Sequence, residues 1–161
     1  MSDFRIGIDP GITGALALLE MVPDPGKSKV MAVLPMPVLP LGKHQQPNCD
    51  KLAEILVGWS HQAKIEPIVF LEEVHAMPGQ GSVSMFNFGM GYGMVQGVLC
   101  ATGLSYVLVR PQAWKKRAGL LNTEKDMART RAQQLCPGTD LSLKKDIGKA
   151  DAILIAYYGK E

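Results

Sequence analysis

The chain has 161 residues, 47% of them apolar and 20% charged, with a net charge of +2. That is the make-up of a soluble globular domain of ordinary size, and it does not by itself announce nucleic acid. The charge is unevenly spread: residues 1–109 carry six Lys/Arg against nine Asp/Glu, and residues 110–161 carry eleven against six, so a basic surface is expected beside an acidic remainder.

In chain order, Phe4–Asp9 reads as a short buried strand. Asp9-Pro10-Gly11-Ile12-Thr13-Gly14 is turn chemistry, Ala15–Glu20 a returning strand, Val22–Ser28 a loop and Val30–Met36 a third strand, together an antiparallel meander. Pro35, Pro37, Pro40 and Pro47 bracket an irregular crossing. Asp50–Ala63 sets Leu52, Ile55, Leu56 and Trp59 at amphipathic-helix spacing, with Asp50 as its N-cap. Pro67–Glu72 is the next strand, and Met77–Gly81 a loop. Ser82–Thr102 reads as a long helix in spite of Gly89, Gly91, Gly93 and Gly97. Ser105–Val109 is a strand and Gln112–Ala118 a short helix. Thr123-Glu124-Lys125-Asp126 has the form of a capping box opening a helix to Cys136, which Pro137-Gly138 stops. Lys149–Tyr158 is the last helix, with Gly159 in the C-cap position. The order predicts one α/β domain over residues 1–161: a mixed five-stranded sheet, three meander strands plus two helix-linked strands, flanked by helices.

Three cysteines, Cys49, Cys100 and Cys136, form no CxxC pair and no zinc pattern, which favours a reducing compartment. MSDFRIGID has no basic stretch followed by an apolar core, so no signal peptide is expected. The longest apolar stretch is broken by prolines and too short to span a bilayer. We expect a cytoplasmic protein without a membrane partner.

Four carboxylates stand where chemistry is plausible. Asp151 shares a helical face with Leu154, Ile155 and Tyr158; a charge on an apolar stripe is costly unless it is paired or meets a cation, although a first-turn Asp also suits the helix dipole. Asp9 either starts the Pro10-Gly11 turn or faces a site at a strand end. Glu72 and Glu73 point to opposite faces, and parity does not choose between them because both faces of the strand are apolar. Asp146 is either a ligand or an N-cap. Together they suit two hard cations such as Mg²⁺, about 4 Å apart, in phosphodiester chemistry. Phosphate contacts would come from among Lys115, Lys116, Arg117, Lys125, Arg129, Arg131, Lys144, Lys145 and Lys149, with Lys125 and Lys149 favoured for their places near helix starts. His75, beyond Glu72, either reaches the substrate or is a surface loop residue.

The glycines from Gly79 to Gly97 match no phosphate loop, so no nucleotide cofactor is expected. Set among Met85, Phe86, Phe88, Met90, Tyr92, Met94 and Val95, they suit a helix with one face on the sheet and another in a homodimer contact. Met77–Phe88 could alternatively reach DNA as a loop with aromatic wedges.

Ile6-Gly7-Ile8-Asp9-Pro10-Gly11 with Thr13-Gly14, Val69-Phe70-Leu71-Glu72, Thr123-Glu124-Lys125 and Lys149–Ala156 (KADAILIA) resemble, in order and spacing, the motifs of RuvC-type Holliday junction resolvases. Glu73–Gly97 and PQAWKK at 111–116 look more like their bacteriophage branch. The resemblance implies an RNase H-like fold, a homodimer, and Mg²⁺- or Mn²⁺-dependent nicking of four-way or other branched DNA that leaves 5′-phosphate and 3′-hydroxyl ends. A phage-encoded protein would act in the host cytoplasm. The resemblance assigns metal positions to Asp9, Glu72 (over Glu73) and Asp151. It departs at the turn before Asp151, where the family usually has another acid or His and this chain has Ile147-Gly148; Asp146 is the nearby candidate. Two rival readings follow: a non-catalytic branched-DNA-binding module of the same fold, and a phosphotransferase built on a kinase-like phosphate hairpin at residues 7–14.

Overall fold

The computed structural model describes residues 3–24, 26–63 and 65–160. The elements are β1 (Asp3–Asp9), β2 (Ala15–Met21), β3 (Lys29–Pro35), β4 (Val38–Leu41), β5 (His44–Pro47), α1 (Cys49–Ala63), β6 (Ile68–Glu72), α2 (Ser82–Ala101), β7 (Tyr106–Val109), α3 (Pro111–Ala118), α4 (Met127–Leu135), a 3₁₀ turn (Lys144–Asp146) and α5 (Ile147–Tyr158). The main sheet has the order β3-β2-β1-β6-β7. Strands β1, β2 and β3 pair antiparallel, and β6 and β7 add in parallel to β1. This is the mixed five-stranded α/β sheet expected from the sequence.

Both faces of the sheet are covered, and alternation sorts the side chains. Ile6, Ile8, Leu16, Leu18, Val69 and Leu71 pack with Leu52, Leu56, Val95 and Leu99 of α1 and α2. Ala15, Ala17, Leu19 and Phe70 pack with α3, α4 and α5 on the other face. Each fully buried Ile or Leu contributes about 1.5–3 kcal/mol through removal from water.

The seating of α5 on β1 decides where the chemistry lies. Arg5, Gly7 and Asp9 share a face of β1. Arg5 Nη1 donates to the carbonyl oxygens of Tyr157 and Gly159, at 3.4 Å each, which holds the C-terminal end of α5. At Gly7 a methyl group would collide with the Ala152 carbonyl oxygen and the Ala156 backbone nitrogen, so the helix backbone lies directly on the strand. Two strand residues advance about 6.6 Å, or about 4.4 residues of helix. From a contact spanning Ala152 to Ala156, that step brings Asp9 level with the turn holding Asp151. Gly148 continues the fit, since a side chain there would strike the Thr13 carbonyl oxygen.

Three local expectations are corrected. Residues 38–47 are not irregular but form a separate hairpin, β4 paired with β5, with Leu41 opposite His44 across the two-residue turn Gly42-Lys43; prolines are tolerated there because each strand has a free edge. The cap of α1 is Asn48, not Asp50: Asn48 Oδ1 accepts the Lys51 N–H at 3.1 Å. The Thr123 capping box does not form, because Thr123 Oγ1 donates to the Leu120 carbonyl at 2.9 Å and α4 starts only at Met127. Gly159 is the C-cap of α5, as expected, with φ −55°, and is small because a Cβ would enter the Phe70 ring. No helix among the described residues is long and apolar enough to cross a membrane.

Candidate active site

Asp9 is the last residue of β1 and Glu72 the last of β6. The two strands are parallel neighbours, with Ile8 opposite Leu71, so Asp9 and Glu72 follow one step further on the same face. Phe70, two residues before Glu72, packs against α5, which sets that face. Glu73 turns away and meets Arg110 at 3.2 Å and His75 at 3.4 Å. The choice that parity left open is thus made by the register of β6. Asp151 completes the group from α5.

The three carboxylates are partly buried and act on one another. Burial first, and then the charge of Glu72, pushes the Asp9 carboxyl up to about 6. Burial, followed by the charges of Asp9 and Glu72, pushes Asp151 up to about 7. Glu72 is raised chiefly by burial. Lys115 opposes the rise at all three, and Lys125 opposes it at Asp151. Three carboxylates gathered with too little positive charge form a site that favours a cation.

Two of the three are also anchored. Asp9 Oδ1 accepts the Gly11 N–H at 3.3 Å, so Asp9 does start its turn, and its other oxygen stays free of that bond. Glu72 Oε1 accepts the indole N–H of Trp114 at 2.9 Å. Trp114 is fully buried, and Lys115 lies 5.3 Å from its ring centre. Sequence reading named Lys115 but passed over Trp114. Its indole partner depends on how α3 sits against β6, which no local pattern reveals.

Asp9 and Asp151 border a cleft of about 460 Å³ that Thr13 and Trp114 also line, with Lys115, Lys125, Lys144 and Lys145 around it and Glu124 the one further acid; Glu72 lies behind it, bonded to Trp114. Of the phosphate-contact candidates, Lys115, Lys125, Lys144 and Lys145 line this cleft; Lys116 and Arg117 are exposed outside its lining, Arg129 is paired with Asp126, and Arg131 donates to the Tyr158 hydroxyl. Arg117 donates to the Tyr158 carbonyl at the far end of α5. Lys149 is paired with Asp146 at 3.1 Å. His75 is paired with Glu73 and stands apart from the cleft lining.

Asp146 has different surroundings. Its carboxylate accepts the Leu143 N–H at 3.0 Å as well as meeting Lys149, and it is 4% exposed. The Lys149 bond holds its carboxyl below the usual range. It braces the 3₁₀ turn ahead of α5 and does not join Asp9 and Asp151 in the cleft lining.

Among the described residues, no three His, Cys, Asp or Glu side chains converge closely enough to hold an ion by themselves. Mg²⁺ does not require that, since it is commonly held by one or two carboxylates with waters and substrate phosphates completing its shell. The donors here are all carboxylate oxygen, the type that hard divalent cations take, and the charge deficit described above has the matching sign.

No protein-family model matches the chain, and no curated protein is similar to it. Solved structures are. RuvC of T. thermophilus in complex with a Holliday junction substrate is 17% identical, with 97% of this chain and 91% of that chain covered and a TM-score of 0.65. RuvC from Thermus thermophilus in a second structure is 18% identical over 96% of this chain and 92% of that one, with a TM-score of 0.63. The yeast mitochondrial Holliday junction resolvase is 18% identical over 96% and 76%, with a TM-score of 0.50. The chain has the fold of these RuvC-type proteins.

Proposed function

We propose that this protein is a divalent-metal-dependent endonuclease that nicks four-way or other branched DNA. The observation that carries the reading is the meeting of Asp9, Glu72 and Asp151, undercompensated in charge, beside a lysine-lined cleft. The fold shared with Holliday junction resolvases supports the branched substrate.

Asp9, Glu72 and Asp151 would hold two Mg²⁺ or Mn²⁺ ions. Bound there, the ions would activate the attacking water and stabilise charge on the leaving oxygen. The chain's own residues do the rest. Trp114 and the Gly11 N–H fix one oxygen each of Glu72 and Asp9, so these carboxylates keep their orientation before substrate arrives. Lys115 and Lys125 attract the phosphate backbone to the carboxylates, which would otherwise repel it. The products would carry 5′-phosphate and 3′-hydroxyl ends.

A homodimer would allow paired cuts across a junction. Supporting it, α2 turns Val83 (65% exposed) and Phe86 (70% exposed) outward, with Gly93 and Gly97 exposed further along the helix.

The test is nicking of a labelled four-way junction with and without Mg²⁺. Wild type should cut only with the cation, and Asp9→Asn and Asp151→Asn should each lose about 10²-fold or more in rate. Cutting at the wild-type rate by both variants would sink the assignment.

A further inference from the structure

A second cleft, of about 540 Å³, lies on the other side of the β1–β2 turn from the acidic one. Pro10, Gly11 and Ile12 of that turn line it, while Asp9 and Thr13 at the turn's ends line the acidic cleft. Its opposite walls are the β4–β5 hairpin and the first three turns of α2. The helix offers Ser84, Asn87, Phe88 and Gly91 here, a stripe at helical spacing distinct from the outward Val83 and Phe86. The hairpin is seated by Pro47, which lies where a side chain at Gly91 would touch it.

The lining is chemically selective. It contains no carboxylate, and its ionisable residues are Lys43, at the hairpin tip, and His44. Among the described residues Lys43 has no ion-pair partner, and Gln45, Ser84 and Asn87 make no side-chain hydrogen bond. Ile12 and Phe88 stay 46% and 43% exposed. A cation, free amide groups and an aromatic face in a cleft of ligand size suit a nucleotide: phosphate on the lysine, base on the ring, base edge on the amides. A duplex hides its base faces, so the matching ligand is unpaired.

We infer that this cleft binds unpaired nucleotides of the strand being cut, stacking a base on Phe88 and Ile12 with Lys43 at its phosphate. The inference rests on the nuclease reading for its direction: the strand passes from the acidic cleft over Pro10–Ile12 into the second. The cleft would then supply whatever base preference the enzyme shows at the cut.

The experiment uses the full chain carrying Asp151→Asn, titrated into labelled single-stranded oligonucleotides of dA, dC or dT and into a four-way junction with 2-aminopurine beside the cut. Phe88→Ala and Lys43→Ala are added singly, with melting temperatures checked. Each should weaken single-strand binding about tenfold or more, and Phe88→Ala should abolish the 2-aminopurine signal and level the preference among bases. Unchanged single-strand affinity in both folded variants would overturn the inference, as would a changed oligomeric state with DNA affinity intact, which would assign the cleft to a second copy. The nuclease reading fails separately: wild type that binds oligonucleotides through Phe88 and Lys43 but never nicks a junction leaves the cleft standing and removes the enzyme.

Discussion

Asp151 and Asp146 stand five residues apart at the start of one helix, yet they occupy opposite kinds of surroundings. Asp146 has a backbone N–H and a lysine within hydrogen-bond reach, and its carboxyl is held below the ordinary range. Asp151 has two other carboxylates as its main charged neighbours, and its carboxyl is pushed up to about 7. One acid is satisfied by the fold, and the other is not.

The comparison breaks most sharply at the chemistry. Asp151→Asn should cost about 10²-fold or more in cutting rate, whereas Asp146→Asn should keep the rate within about threefold and lower the stability of the fold. Junction cleavage beside urea unfolding of both variants checks this, and an Asp146→Asn protein as inactive as Asp151→Asn would place Asp146 among the ligands. Trp114→Phe sharpens the site side of the contrast. Losing a charge-assisted hydrogen bond to Glu72 should weaken Mn²⁺ binding about tenfold, read by titration, and should have no further effect once Glu72→Gln is present.

The smallest effect is in stability against pH. Asp9 and Asp151 bind protons more tightly in the folded chain than in the unfolded one, where the ordinary value is 3.8. They therefore destabilise the metal-free fold as pH rises from about 4 to about 7, and Asp146 does the reverse at lower pH. Chelated protein should melt several degrees lower at pH 7.5 than at pH 5.5, Mg²⁺ should recover part of the loss, and Asp151→Asn should flatten the profile. A metal-free melting temperature that rises over that range would contradict the uncompensated cluster.

Much of this was legible in the chain. The alternation of Ile6, Gly7, Ile8 and Asp9, the Pro-Gly turn and the apolar helix around Asp151 gave the sheet and three of its elements. Glu72 was not separable from Glu73, because a strand covered on both faces reads as one apolar run. The β4–β5 hairpin was hidden by prolines that usually break strands, and with it the second cleft. Trp114 reads as core by composition; only the fold turns its N–H to a carboxylate. The glycines divide into two groups. Those of α2 drew attention as a cluster, yet a Cβ at Gly89, Gly93 or Gly97 meets nothing, whereas the isolated Gly7 and Gly148 are where the helix touches the sheet.

That seating ties the acidic cleft to backbone contacts that offer no side chain. Gly7 and Gly148 seat α5 on either side of Asp151, against the Ala152 and Thr13 carbonyl oxygens. A methyl group at either glycine would force the helix off this seat and carry Asp151 with it, and a displacement of about 0.5 Å matters to a reacting group. The position of the carboxylate is thus set by two residues with no chemistry of their own to bring to the substrate.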